Sequence, residues 1–302
     1  MKVLVTGGSG FLGSRFIQLF SDKYEITATT RSGVFSYLNR SELKKIKTVK
    51  CDIKDRKSVK KIFSSAFDVV LHAAAKIAAT DNGSYPRDLF ETNVIGTINV
   101  IEGAIEAGSK KLIFCSSMTV YSPENTVPVK ENSLLSPLHF YGLSKKCAED
   151  VIKTYATSKH FKALLLRYPG LYGLPRRSGY IYSIARKMIK NMPVKISTTG
   201  LKFWETMYID DALNITERLI RKLKWKRDCE ILNCSYGEET DIIKTAYNIK
   251  EKLRSKSKIH IRQPLDYKPF YMSNLKLKSV LSSDFKYSFD NGLSKYLESI
   301  KN

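Results

Sequence analysis

Apolar positions in the first two-thirds of the chain follow two alternating spacings. Lys2–Thr6 is a short apolar run with β-branched residues, and Glu25–Thr30 alternates with a period of two. Both patterns predict strands. Phe11–Phe20 repeats its apolar residues at helical spacing. The same alternation continues downstream. It predicts strands at Thr48–Ile53, Asp68–His72, Lys111–Ser116 and Ala163–Arg167. Between them it predicts helices at Asp55–Ser64, Arg87–Ala107 (stopped by Gly108) and Tyr141–Ser158. Strand and helix in strict alternation imply right-handed βαβ units, and so an α/β fold with a doubly wound parallel sheet covered on both faces.

After Pro169 the pattern changes. A loop around Pro175, Arg176, Arg177 and Gly179 precedes a helix at Tyr180–Lys190. A helix at Asp210–Lys222 and a strand at Glu230–Cys234 follow, then a helix at Asp241–Leu253, a strand at Lys258–Arg262 and a helix at Asn291–Ile300. The expected organisation is a nucleotide-binding domain over 1–168, with 203–235 returning to it. A smaller C-terminal α/β lobe covers 169–202 and 236–302. The two are expected to pack around a shared cleft.

Composition narrows the classes. The chain has 302 residues, of which 43% are apolar, and no low-complexity tract, which excludes intrinsic disorder. The first apolar run breaks after three residues and no run approaches the roughly 18 needed to cross a bilayer, so the expectation is a cytoplasmic chain with no integral membrane segment. Five cysteines without C-x-x-C spacing argue against a zinc site or a disulfide framework, and no metal is expected. Lys and Arg outnumber Asp and Glu by 51 to 29, a net charge of +22. No basic cluster alternates with aromatics as an RNA-stacking surface requires, so the excess reads as solvated lysine rather than a nucleic-acid site.

Two motifs carry chemistry. Thr6-Gly7-Gly8-Ser9-Gly10-Phe11-Leu12-Gly13 joins the first strand to the first helix. Glycines at 7, 10 and 13 allow the tight turn, the close backbone approach and the helix–strand contact. The N–H groups at the helix start then hold a diphosphate, which implies a dinucleotide. The second strand ends in Thr29-Thr30-Arg31-Ser32, with no carboxylate for a ribose hydroxyl. Arg31, with Arg15 nearby, suits a 2′-phosphate, which favours NADP(H) over NAD(H). Asp52 and Ile53, closing the next strand, fall near the adenine. In the second motif, Tyr141 and Lys145 stand one helical turn apart on one face. A lysine and an oxidised nicotinamide stabilise a phenolate, which lets a tyrosine act as base or, in reverse, as acid. A hydroxyl from the strand end Cys115-Ser116-Ser117 can steer the reacting oxygen toward it.

With these pieces in order, the sequence resembles the extended short-chain dehydrogenase/reductase family of nucleotide-sugar epimerases, dehydratases and ketoreductases. The segments that carry the resemblance are Thr6–Gly13, His72–Ala75, Thr92–Asn99, Cys115–Tyr121, Tyr141–Lys145, Leu166–Gly173 and Tyr208–Ala212. The resemblance implies a Rossmann-type fold, with Tyr141 as general acid/base, Lys145 as its electrostatic partner and Ser117 as the catalytic hydroxyl, Ser116 being the alternative. It implies cofactor contacts from Phe11, Leu12, Ala73, Ala74, Ala75, Asn93, Ser116, Tyr168 and Pro169. It places Lys76, Thr119, Tyr172, Arg176 and Arg177 on the substrate side. Asp210 and Asp211, at the start of a predicted helix, read as its caps rather than as site residues. The resemblance further implies a homodimer built on the helices Arg87–Ala107 and Tyr141–Ser158.

Met118 and Thr119 stand where dehydratases of this family carry an acidic pair, which disfavours dehydration. The expected function is an NADP(H)-dependent reductase of a nucleotide-linked 4-keto sugar. The alternatives are a nucleotide-sugar 4-epimerase with tightly bound NAD(P), or a non-catalytic NAD(P)-binding sensor.

Overall fold

A computed structural model describes residues 1–77, 86–197, 205–262, 269–281 and 287–301. The chain divides into two compact units. The first holds Met1–Ser122, Leu134–Arg167 and Ile220–Leu232; the second holds Pro123–Ser133, Tyr168–Leu219 and Asn233–Asn302. The segment that rejoins the first unit, 220–232, is shorter than the 203–235 expected. The expected boundary at 202/203 and the stretches 198–204 and 263–268 lie outside the described residues.

The first unit opens with β1 (Lys2–Thr6), α1 (Phe11–Phe20), β2 (Glu25–Thr30), α2 (Arg40–Lys44), β3 (Lys47–Lys50), α3 (Arg56–Ile62) and β4 (Val69–His72). It continues with α4 (Arg87–Phe90), α5 (Gly96–Glu106), β5 (Lys111–Ser117), α6 (Phe140–Lys159) and β6 (Lys162–Tyr168). β1 is buried over Val3, Leu4 and Val5, and α1 covers it with Phe16, Ile17 and Phe20. β1 pairs in parallel with β2 and β4, β2 with β3, and β4 with β5.

The second unit contains β7 (Gly170–Tyr172), α7 (Tyr180–Ile189), β8 (Val194–Ser197), β9 (Thr206–Tyr208) and α8 (Ile209–Lys222), whose last residues return to the first unit. β10 (Cys229–Asn233) then completes a seven-stranded sheet of order β10-β6-β5-β4-β1-β2-β3. The second unit closes with α9 (Ile242–Leu253), β11 (Ile259–Arg262), α10 (Leu275–Leu281) and α11 (Phe289–Lys301). β7 pairs with β9, and β8 with β11, each in parallel.

The order reverses between β1 and β4, so the loops leaving these two strands diverge and open a crevice at their carboxyl ends. This places any ligand against Gly7–Gly10 and Ala73–Ala75.

Two expected elements change. The strand expected at Thr48–Ile53 ends at Lys50, because Asp52 turns its side chain back to the Lys54 N–H (3.0 Å) and Asp55 caps α3 through the Lys57 and Ser58 N–H groups. The helix expected over Arg87–Ala107 is interrupted by a π turn at Glu91–Ile95. That turn admits an extra residue and leaves Asn93 only 2% exposed. Among the described residues, no helix is long and apolar enough to cross a membrane.

Candidate functional site

The crevice is a trough of about 370 Å³ lined by Gly7, Ser9, Gly10, Thr29, Thr30, Arg31, Cys51, Asp52, Ile53, Ala73, Ala74, Ala75, Lys76, Ile77 and Thr92. Its floor depends on Gly7. With φ at +70°, a Cβ there would lie 2.6 Å from Ala74 Cα, backbone against backbone, so only glycine lets the two loops meet. Gly10 caps α1 with no side-chain hydrogen bond, and the first turn of α1 carries no acid. The first-turn N–H groups at the start of α1, Leu12 and Gly13 among them, point toward the site as backbone donors, although Phe11, Leu12 and Gly13 do not line the trough.

The Arg31 end holds two threonines, Thr29 and Thr30, and no carboxylate from β2. Asp52 is the acid there, and one of its oxygens accepts from the Lys54 N–H. A glycine cradle, an uncapped helix start and a cation at the far end fit a dinucleotide. Ser9, Thr29, Thr30, Cys51, Ile77 and Thr92 line the trough without having been singled out from the sequence. Thr29 and Thr30 were legible as the residues before Arg31.

Behind the trough, His72 is fully buried between two threonines. Thr97 donates its single proton to the Asn93 carbonyl (2.6 Å), so its oxygen accepts from His72 Nε2 (2.9 Å). His72 Nδ1 is therefore the acceptor for Thr6 Oγ1 (2.6 Å), whose oxygen in turn receives the Ala74 N–H (3.3 Å). Burial, with Lys145 nearby, pushes His72 down to about 3, so it stays neutral in this tautomer. The chain of bonds fixes the loop after β4 to the π turn.

Asn93 completes the link. Its Oδ1 accepts the Lys76 N–H (2.8 Å), and its Nδ2 donates to the Lys76 carbonyl (3.0 Å) and to Ser144 Oγ (2.9 Å). Lys76 lines the trough and Ser144 lies between Tyr141 and Lys145 on α6. One amide therefore joins the crevice to the tyrosine–lysine helix.

On α6, Lys145 is 2% exposed, and its ammonium stands 4.0 Å from the centre of the Phe114 ring. Burial lowers it to about 8, against the pull of Cys115 and Glu149. Burial pushes Tyr141 up to about 12, with Cys115 adding to the shift, so it rests as a neutral phenol. Gly142 lets α6 approach the segment after β5, since a Cβ there would collide with the Thr119 carbonyl oxygen.

Ser117 ends β5. Its oxygen accepts from the Thr119 N–H (3.2 Å) and from Thr119 Oγ1 (3.0 Å), which leaves its own proton to donate. Ser116 faces the other way and gives its proton to Glu149 (2.6 Å).

The remaining expected residues are placed as follows. Thr119 is committed to Ser117. The Lys76 ammonium pairs with Asp88, which Lys54 (2.7 Å) also holds, and the two lysines keep Asp88 down at about 2. The second unit carries Tyr168, bonded to Thr216 (2.6 Å), with Pro169 next in the chain. Tyr172 is buried among the rings of Tyr208, Phe289 and Tyr296 rather than presented at a surface. Arg176 donates to Ser178 (3.0 Å), and Arg177 is exposed. Asp210 and Asp211 sit in the first turn of α8, and their carboxylates accept from the Tyr208 (3.0 Å) and Tyr236 (2.7 Å) hydroxyls. Among the described residues no cluster of His, Cys, Asp and Glu is arranged to hold a metal.

The model of the NAD-dependent epimerase/dehydratase family matches residues 3–235. The chain is 30% identical over 308 residues to a Methanocaldococcus jannaschii protein provisionally named UDP-glucose 4-epimerase, covering 99% of this chain and 98% of that one. It is 29% identical over 321 residues to UDP-glucose 4-epimerase GEPI48 of Cyamopsis tetragonoloba, covering 95% and 91%. The crystal structure of the Thermotoga maritima UDP-glucose 4-epimerase with UDP-glucose superposes with a TM-score of 0.84 at 25% identity, covering 99% and 98%.

Proposed function

Because the chain belongs to the NAD-dependent epimerase/dehydratase family, enzymes of the extended short-chain dehydrogenase/reductase type, we propose that it is a nucleotide-sugar 4-epimerase acting on UDP-linked sugars. The observation that carries this is the Asn93 bridge, which ties the dinucleotide trough to the helix bearing Tyr141 and Lys145. The names of the relatives favour epimerisation over reduction of a 4-keto sugar, and Met118 and Thr119 supply no acid for dehydration.

A nicotinamide dinucleotide, held by Gly7–Gly13, Ala73–Ala75 and Arg31, supplies the hydride acceptor and donor when bound. The chain's own residues manage the proton on the sugar's 4-oxygen. Ser117 donates a hydrogen bond to that oxygen. Tyr141 accepts its proton as C4 is oxidised and returns it once the keto sugar has turned over. Without ligand Tyr141 rests as a high-pKa phenol, so to accept that proton it must first lose its own to solvent; the Lys145 ammonium, one helical turn along α6, and an oxidised nicotinamide would lower the cost of that phenolate. The sugar leaves with its composition unchanged and C4 inverted, so the dinucleotide needs no exchange between turnovers.

The finer reading of the cofactor is the 2′-phosphorylated form. Among the described residues no side chain pairs with the Arg31 guanidinium, and the carboxyl end of β2 offers no carboxylate to repel the phosphate. A homodimer is the further expectation. Ile95 and Leu143, on the π turn and α6, are 48% and 38% exposed and suit a helix-to-helix contact between two copies.

The test is incubation with UDP-glucose and no added dinucleotide. The proposal expects UDP-galactose to form, a dinucleotide to be released near stoichiometrically on denaturation, and Tyr141→Phe to cut turnover by roughly 10²–10⁴-fold. Oxidation of NADPH by a UDP-linked 4-keto sugar, with no interconversion, would favour the reductase instead.

A further inference from the structure

α6 places a third ionisable residue on the face that carries Tyr141 and Lys145. Glu149 is one turn beyond Lys145 and is 0% exposed. Its Oε1 accepts from Ser116 Oγ (2.6 Å) and Arg167 Nε (2.9 Å), and its Oε2 accepts from Arg167 Nη2 (2.6 Å). Arg167, on β6, is itself buried, and its Nη1 donates to the Tyr121 hydroxyl (2.8 Å) while the guanidinium lies over the Tyr121 ring (4.7 Å). The network therefore joins α6, β6, the end of β5 and the segment that follows it.

A charge is costly to bury, and this network buries three: the Lys145 ammonium, the Glu149 carboxylate and the Arg167 guanidinium. A bidentate arginine satisfies the carboxylate's geometry, yet that pair alone needs no serine from β5 and no lysine one turn away. The serine it takes is Ser116, adjacent to Ser117. We infer that Glu149 and Arg167 are positioning residues for the reacting groups. Glu149 fastens the Ser116–Ser117 strand end to the helix of Tyr141, and its charge serves as counter-ion to Lys145. This rests on the epimerase reading for what the positioned groups do, though not for the network itself.

The titratable groups acting on Lys145 are His72 from β4, Cys115 from β5 and Glu149 from α6. Arg167 and, at 3.9 Å, Lys153 face Glu149. His72 is neutral, and Cys115 and then Glu149, one turn along α6, act against the burial of Lys145.

The test combines turnover of the full chain with direct titration of Lys145 by lysine-selective ¹⁵N NMR, its signal assigned with Lys145→Arg. Glu149→Gln keeps the shape and removes the charge. Its Lys145 titration moves down by about one pH unit or more, and the alkaline limb of kcat moves with it. Glu149→Asp keeps the charge and shortens the reach. Its titration stays in place while kcat falls about tenfold or more with KM little changed. Arg167→Lys, which keeps charge without the fork, behaves as Glu149→Asp does. An unmoved Lys145 signal in Glu149→Gln, or wild-type kcat in Glu149→Asp, would overturn the inference. If Glu149→Gln fails to fold, the Glu149→Asp kcat decides. Absence of epimerisation in the wild type, with the NMR shift intact, would instead count against the epimerase reading.

Discussion

The side-chain amide of Asn93 holds Lys76 by both its main-chain groups and gives its remaining proton to Ser144, so one buried residue spans the dinucleotide trough and the helix of Tyr141. Its removal leaves Lys76 N–H and Lys76 O without these bonds beside the trough. Asn93→Ala is expected to weaken dinucleotide binding by about 1–3 kcal/mol, roughly 5–150-fold. Fluorescence titration with the reduced dinucleotide measures this. Asn93→Asp, which cannot donate to Ser144, is expected to fall in the same range.

The depressed pKa of His72 predicts a pH dependence of stability. Its folded pKa, about 3, lies below its unfolded value of 6.5, so the unfolded chain binds the extra proton first. The contribution is fully present above pH 6.5 and is lost as pH falls, at about 1.4 kcal/mol per unit. Glu205 opposes it. It is buried in the second unit, accepts from the Met272 N–H (2.8 Å) and is raised to about 8, so it favours the folded state toward low pH. The readout is therefore the difference between the wild type and His72→Gln. Denaturation between pH 7 and 5 is expected to show the steeper acid loss only in the wild type.

Gly142→Ala sets local propensity against packing. Alanine in a helix interior gains about 1 kcal/mol over glycine. The added Cβ meets the Thr119 carbonyl, a backbone atom that cannot rotate aside. Overpacking costs about 1–3 kcal/mol, so the variant is expected to melt below the wild type and to lose kcat as Ser117 and Tyr141 move apart. A Tm equal to or above that of the wild type would refute this contact.

Arg31→Ala separates the two dinucleotides. Loss of a charge-assisted hydrogen bond to a 2′-phosphate costs about 1.5–3 kcal/mol, some 10–150-fold in affinity for NADP(H). Affinity for NAD(H) is expected to stay within about twofold. Equal effects on both forms would remove Arg31 from the adenosine end of the site.

The elements that place the site were readable because their residues admit few alternatives. Gly7 at positive φ can only be a turn that another backbone approaches, and Tyr141 and Lys145 at helical spacing share a face by geometry alone. The π turn was not readable, since Glu91–Ile95 has ordinary helical residues and the extra residue is accommodated only when Asn93 finds Lys76 and Ser144. α2 was missed although Asn39 and Glu42 form a capping box at its start, a signal present in the sequence. β7 and β9 have three residues each, too short for any periodicity. Tyr172 and Lys76 carry functional groups that a sequence offers to a substrate. The fold encloses one among aromatic rings and pairs the other with Asp88.

In the proposed epimerisation C4 is oxidised and reduced within one binding event. UDP-glucose deuterated at C4, incubated with the protein and no added dinucleotide, tests it most directly. UDP-galactose that retains deuterium at C4 is expected, with no net accumulation of reduced dinucleotide. Galactose carrying protium at C4, or no epimer in a preparation that holds bound dinucleotide, would contradict it.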